Sequence, residues 1–245
     1  MWFVFTIATT LIWGLAELFY KKGARPDEKY SHLKITVCVG LVMGIHAIFE
    51  LIFEDFSYDP MNLIHYAPVA LCYILSMALS FFGMRFVEES ISDPIENTSG
   101  AIVALMCAVF LHESIGAGSV VAILIILVGI LGVGFLDTHG DTDRRKKLGK
   151  KMAIIAFAMP FCYALIDALG SFLDIYYLEM ETTKLTNVTE DTIELVANTS
   201  YELSFAVVAL VLFIFMKIRG VKFEVPKQRD KFLAAICETA GQFTY

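Results

Sequence analysis

Seven times along this chain a stretch of about 20 mainly apolar residues recurs, the length an α-helix needs to cross a hydrocarbon core about 30 Å thick. The stretches cover about 1–20, 35–53, 64–83, 93–111, 116–135, 152–176 and 202–218. Lipid offers backbone amides no water to bond, so runs of this kind fold as helices. Composition agrees: of 245 residues 57% are hydrophobic and only 18% are charged, whereas soluble domains carry about 25% charge. A soluble, disordered or nucleic-acid-binding chain is excluded. The expected class is an all-α integral membrane protein, a polytopic helical bundle. An eighth apolar run starts at Phe232 and reaches Tyr245; it would extend about 21 Å, short of a crossing. The expectation is a chain truncated inside a helix, with a last segment lying in the membrane interface as the alternative. The first run lacks a basic leader and a small-residue cleavage site, and it carries Glu17, so it reads as a retained span.

Basic residues set the orientation. The first connection holds Lys21, Lys22, Arg25, Lys29 and Lys34, the third Arg85, the fifth the cluster at 144–151, and the seventh Lys217, Arg219, Lys222, Lys227, Arg229 and Lys231. The even connections contribute Lys184 alone. This asymmetry is a positive-inside signal that puts the N-terminus outside and the odd loops in the cytoplasm, most simply in a plasma or bacterial inner membrane. The cluster at 144–151 then reads as a topogenic device and calls for no nucleic acid partner. The sixth connection, about 180–201, is acidic and carries the sequons at Asn187 and Asn198 on the outer side, glycosylation sites in a eukaryotic host.

Five cysteines all lie within apolar runs, the placement of buried thiols with neither a disulfide framework nor metal-ligand spacing. His139, Asp141 and Asp143 match no ligand motif and read as solvated loop charge, so no metal is expected. Nucleophile elbows, phosphate-binding loops and dinucleotide turns are absent. No cofactor is called for, and the chain does not read as an enzyme.

The chain also resembles itself. Trp13-Gly14-Leu15-Ala16-Glu17 aligns with Tyr163-Ala164-Leu165-Ile166-Asp167, and Ala70-Leu71-Cys72 with Ala235-Ile236-Cys237. A repeat of five spans is odd in number, so its second copy must run inverted, and the charge pattern inverts as required. The organisation expected is a first repeat over 1–136, a basic cytoplasmic connection over 137–151, and a partial second repeat over 152–245. Inverted repeats around a midplane site are common in secondary transporters.

At this point the residues resemble a known family. The run from Ser92-Asp93-Pro94-Ile95 through Leu111-His112-Glu113 to Leu127-Val128-Gly129-Ile130, with Trp13-Gly14, is similar to the EamA-type repeat of the drug/metabolite transporter superfamily. The resemblance implies ten spans and the export or exchange of small organic metabolites.

An ionised side chain at a helix centre costs roughly 2.5–3.5 kcal/mol on insertion scales, so acids within spans are the first functional candidates. Thr6, Thr9 or Thr10, Trp13 and Glu17 form one polar stripe; Tyr163, Asp167, Ser171 and Asp174 form another. Glu17 and Asp167, equivalent under the repeat, are candidates for proton coupling or for holding a cationic group, with Trp13 and Tyr163 as stacking walls. For Glu17 a simple pairing with Lys21 at i+4 stands beside that reading. His46 and Glu50, also at i and i+4, form a protonatable pair near the outer interface. Asp93, Pro94 and Glu96 read as a helix start, with Asp93 capping, Pro94 in the first helical position and Glu96 in the third. Asn97, Thr98 and Ser99 carry the polarity one turn inward, where backbone amides could meet an anionic group, and Glu96 and Asn97 join the candidates for substrate binding or coupling. Gly40 and Gly44 read as a close packing surface.

The function these features favour is a secondary active transporter that moves a small organic solute by alternating access, with proton coupling as one option. Its partners would be the solute and the bilayer, with a homodimer left open. The alternative is a seven-helix receptor or another membrane protein without transport activity. Against it stand the short outer N-terminal region and the acids on repeat-equivalent spans.

Overall fold

A computed structural model describes residues 2–87, 89–137 and 150–242. The chain forms α1 (Trp2–Gly23), α2 (Ser31–Phe53), α3 (Asn62–His65), α4 (Ala67–Gly83), α5 (Glu89–Glu96), α6 (Ser99–Phe110), α7 (Ala117–Asp137), α8 (Lys150–Leu178) and α9 (Ile193–Ile218). A 3-10 turn over Val225–Gln228 leads into α10 (Arg229–Gln242). The described residues contain no strand. Phe3–Gly23, Ser31–Phe53, Ala158–Leu178 and Ile193–Ile218 are long and apolar enough to cross a membrane, while Ala67–Gly83 and Ala117–Gly129 are shorter apolar helices. Many large apolar side chains on these helices are exposed, among them Leu11, Ile45, Phe53, Leu165 and Leu210, as expected of surfaces that meet lipid. The protein is an integral, multi-pass membrane protein.

Local chemistry explains most of the helix ends. α1 stops at Gly23, with Lys21 and Lys22 in its last turn, where cations complement the helix dipole. Pro68 sits in the first turn of α4, where its missing N–H costs nothing. His112 follows α6 with φ 56°, the left-handed position that usually ends a helix.

Four sequence expectations need correction. The fourth span is not one helix from 93 to 111: it is broken between Glu96 and Ser99. Pro94 lies inside α5 rather than at its first position, because the helix already starts at Glu89. The third run divides into the one-turn α3 and α4. The seventh helix begins at Ile193, well before Glu202, because the polar side chains at 198–202 meet partners on the protein side of the helix, as described below. The cluster at 144–149 and residues His139, Asp141 and Asp143 lie outside the described residues.

The chain divides into two compact units, one of Met1–Leu71 with Tyr176–Tyr245 and the other of Cys72–Ile175. In the first, α2 and α9 pack in antiparallel fashion through small residues. A Cβ on Gly40 would fall 2.5 Å from the Phe205 carbonyl oxygen and 2.6 Å from Ala209 Cβ, and one on Gly44 would fall 2.6 Å from Ala206 Cβ. The expected packing role of these glycines thus acquires its partner helix. α10 lies along α1 and against α2. In the second unit α5 packs on α7, and Gly170 of α8 sits against Cys72 and Tyr73 of α4.

Candidate functional site

In the first unit the antiparallel α2–α9 contact brings three titratable side chains together. His46 Nδ1 lies 2.7 and 2.9 Å from the two carboxylate oxygens of Glu202. His46 Nε2 lies 3.8 Å from Glu50 Oε1. The Thr199 hydroxyl is 2.9 Å from Glu50 Oε2 and 2.8 Å from the Leu195 carbonyl, with one hydrogen for the two acceptors. Glu202 is wholly buried and Glu50 nearly so. Glu50 therefore does not sit at a solvated interface, as its distance from the helix end suggests; it faces α9. Glu202 was missing from the sequence reading because nothing local in the sequence pairs it with His46.

Also in the first unit, Trp13 turns its indole onto α10, with Nε1 3.3 Å from the Glu238 carbonyl oxygen. A Cβ on Gly241 would overlap that ring at 2.2 Å. Trp13 is therefore packed between α1 and α10. One turn further along α1, Glu17 is half-buried, and buried Tyr20 hydrogen-bonds Glu238 within electrostatic reach of Glu17 and of Tyr201 from α9.

The second unit gathers the other candidates. Ser80 and Ser92 donate to Glu96 at 2.8 and 2.6 Å. Asp167 of α8 accepts from Ser76 at 3.4 Å, and it also accepts hydrogen bonds from Ser99 and Tyr163. Glu96 and Asp167 lie within electrostatic reach of one another, with Asp93 also near Glu96. One helical turn beyond Asp167, the Tyr73 hydroxyl stands 3.2 Å from Ser171 Oγ and 3.3 Å from Asp174 Oδ2. The α5–α6 break serves this arrangement: it lets Ser92 and Glu96 come from one short helix and Ser99 from the next. Asn97, in contrast, is exposed and donates its amide to the Asp93 carbonyl at 2.8 Å; it does not join the cluster. Tyr163, Asp167 and Glu96 thus come together, while Trp13, Glu17, His46 and Glu50 belong to the first unit.

Connections within the first unit are tied at both ends. Asn62, fully buried, donates to the Thr186 carbonyl at 2.9 Å and accepts from the Thr186 N–H at 2.8 Å, while the Thr186 hydroxyl reaches Asp59 at 2.8 Å. Hydrogen bonds from the Met61 N–H and then from Thr186 hold the Asp59 carboxyl below its ordinary value. Asn187, the next residue, is exposed with φ 57°. Asn198 is not in this loop, as its sequon suggested: it lies inside α9. The Ser200 hydroxyl of that sequon is buried, bonded to the Val196 carbonyl at 2.6 Å and 3.0 Å from the Tyr58 hydroxyl. A helical asparagine whose neighbouring hydroxyl is enclosed is a poor glycosylation acceptor. At the other end, Glu28 pairs with two buried ammonium groups, Lys34 and Lys231, the second at 3.3 Å. Burial alone would raise the Glu28 carboxyl, but the hydrogen bond from Lys34 and the charges of Lys231 and Lys34 outweigh it and hold it below the usual range.

Both units thus carry carboxylates inside apolar helices, the second with a ring of hydroxyl donors. Comparison with known proteins adds the family. No curated protein matches the chain. The model of the EamA-like transporter family matches residues 1–135, more than half of the 245 residues and all of α1 through α6. The chain belongs to the EamA-like transporter family, within the drug/metabolite transporter superfamily.

Proposed function

We propose that the chain is a secondary carrier that moves a small organic solute by alternating access, and that Asp167 and Glu96 hold either a cationic group of that solute or the coupling proton. The observation that carries this reading is the carboxylate pair of the second unit. Its members come from different helices, each is met by hydroxyl donors, and the charged side chains that bear on them among the described residues are acids. Two ionised carboxylates in an apolar helix bundle are costly, and a proton or an organic cation is the counter-charge such a site calls for. Tyr163, hydrogen-bonded to Asp167, would supply an aromatic face beside the cation. Because the family match is to transporters, the receptor reading has no support of its own. The charge asymmetry supports an N-terminus outside a plasma or bacterial inner membrane, which reporter fusions at 144–151 test; finding that loop outside refutes the orientation.

Solute counterflow in liposomes tests the site. The chain should exchange at least one member of a panel of organic cations and neutral metabolites, and Asp167→Asn and Glu96→Gln should each remove most of that exchange. Proton coupling predicts in addition that an imposed pH gradient drives uptake and that Asp167→Asn abolishes this response. Wild-type exchange by Asp167→Asn, or no exchange across the panel, refutes the reading.

A further inference from the structure

We propose that His46, Glu50 and Glu202 of the first unit form a binding site for a divalent first-row transition-metal ion, with zinc the best fit to the ligand set, and that the ion ties α2 to α9. Each residue offers one ligand atom, and these atoms lie within 4.8 Å of one another. A zinc ion bound at about 2.1 Å by nitrogen and oxygen ligands separates them by about 3.4 Å in tetrahedral geometry. His46 lies between the two acids, with Nδ1 2.7 Å from Glu202 and Nε2 3.8 Å from Glu50. One nitrogen binds the ion, and the set of one ligand atom per residue within 4.8 Å must draw in by at most about 1.4 Å to reach that spacing. One imidazole with two carboxylates suits zinc or manganese; magnesium and calcium prefer oxygen ligands alone.

Charge supplies the second argument. Glu202 is wholly buried, and the donor its two oxygens meet among the described residues is the single His46 Nδ1. The charged side chains that bear on these carboxylates are further acids, Glu50 on Glu202 and Glu54 on Glu50. The site therefore gathers buried carboxyls with under-used acceptor capacity, and a divalent cation that displaced their protons would satisfy both groups. Position supplies the third. His46 lies seven residues from the end of α2 and Glu202 nine from the start of α9, about 10–14 Å along each helix. An ion there is enclosed by helices and held by rigid elements. Thr199, hydrogen-bonded to Glu50 Oε2, leaves Oε1 turned to His46 and acts as an orienting outer contact.

The experiment uses the full chain purified in detergent, stripped with chelator and dialysed against zinc. Elemental analysis should find one zinc ion per chain, and competition with a chromophoric chelator gives its affinity. Loss of an outer contact typically weakens metal sites by roughly 10–100-fold, so losing a ligand in His46→Gln or Glu202→Gln should weaken binding by at least about 100-fold. His65→Gln, a histidine of the same unit outside the cluster, should bind as wild type does. Zinc should also raise the unfolding temperature of the wild type and not that of Glu202→Gln. Should Glu202→Gln fail to fold, Glu50→Gln carries the same test from α2. Absence of stoichiometric zinc in the wild type, or affinity within threefold of wild type in the ligand variants, overturns the site. Neither outcome depends on transport, so the carrier reading stands or falls separately.

Discussion

Replacing Gly40 by alanine adds one methyl group at the closest approach of α2 to α9, and the structure fixes what it meets. The new Cβ would lie 2.5 Å from the Phe205 carbonyl oxygen, 2.6 Å from Ala209 Cβ and 2.9 Å from Phe205 Cδ1. Carbon–oxygen contacts sit at about 3.3–3.6 Å and carbon–carbon contacts at about 3.5–4.0 Å, so the helices must part by roughly 1 Å there. A gap of that size forfeits a quarter to a half of each dispersion contact along the seam, and overpacking of this kind costs about 1–3 kcal/mol. Alanine returns about 1 kcal/mol through helix propensity, leaving a net loss of about 0–2 kcal/mol, and a larger deficit relative to Gly129→Ala. Gly129→Ala, with nothing within 4 Å, receives the propensity gain alone and should be neutral or slightly more stable. Gly44→Ala differs in kind: its single close neighbour is the Ala206 methyl at 2.6 Å. Moving that methyl across the seam in Gly44→Ala with Ala206→Gly should recover most of the loss, whereas no side-chain change at 205 removes a backbone oxygen. Equilibrium unfolding in detergent, followed by far-ultraviolet circular dichroism, measures all four variants. Gly40→Ala as stable as Gly129→Ala, or a Gly44/Ala206 exchange no better than Gly44→Ala alone, refutes the close antiparallel seam.

Glu28→Gln should destabilise the chain by about 1–2 kcal/mol, less than the roughly 3–5 kcal/mol of a fully buried broken pair, since Glu28 is 25% exposed and water screens it. Because the folded-state carboxyl titrates below its ordinary value, its contribution is complete above the ordinary carboxylate range, near pH 4.5, and is lost as pH falls through the folded value; the variant should lack that part of the acid limb of a stability–pH profile. Asn62→Ala removes both hydrogen bonds to the Thr186 main chain, with a third from the Thr186 hydroxyl, and strands the Thr186 N–H and carbonyl. It should cost about 2–4 kcal/mol, and hydrogen exchange should rise first at Thr186. His112 occupies a left-handed conformation at φ 56°, so His112→Gly should stabilise by about 1 kcal/mol; an unchanged unfolding midpoint would contradict that backbone geometry.

Legibility in the sequence followed distance along the chain. The spacing of His46 and Glu50 and of Gly40 and Gly44 was readable because helical period is a local property. Glu202 and Phe205, their partners, were not, because helix–helix contacts in a bundle leave no mark on spacing. The misplaced start of the seventh helix has the same origin. Asn198, Thr199 and Ser200 read as loop by polarity, yet they are polar because α2 and Tyr58 stand opposite them. Pro94 misled for a different reason: proline most often opens a helix, whereas in α5 it stands near the helix end, just before the break at Asn97. Glu96 and Asp167 were each nominated from intramembrane acidity; their proximity became visible only with α5, α6 and α8 in place.

The division of the chain has a consequence for biogenesis. The second unit is a continuous insert, Cys72–Ile175, whereas the first joins Met1–Leu71 to Tyr176–Tyr245. As the chain leaves the ribosome, the insert can complete its contacts while α1 and α2 still wait for α9 and α10. The glycine face of α2 and the acids at 50 and 17 remain uncovered until the segment Tyr176–Tyr245 has been made, and the first unit closes after the insert, by long-range docking. A ribosome stalled after Ile175 should therefore present a compact middle unit and an α2 open to chaperones and proteases.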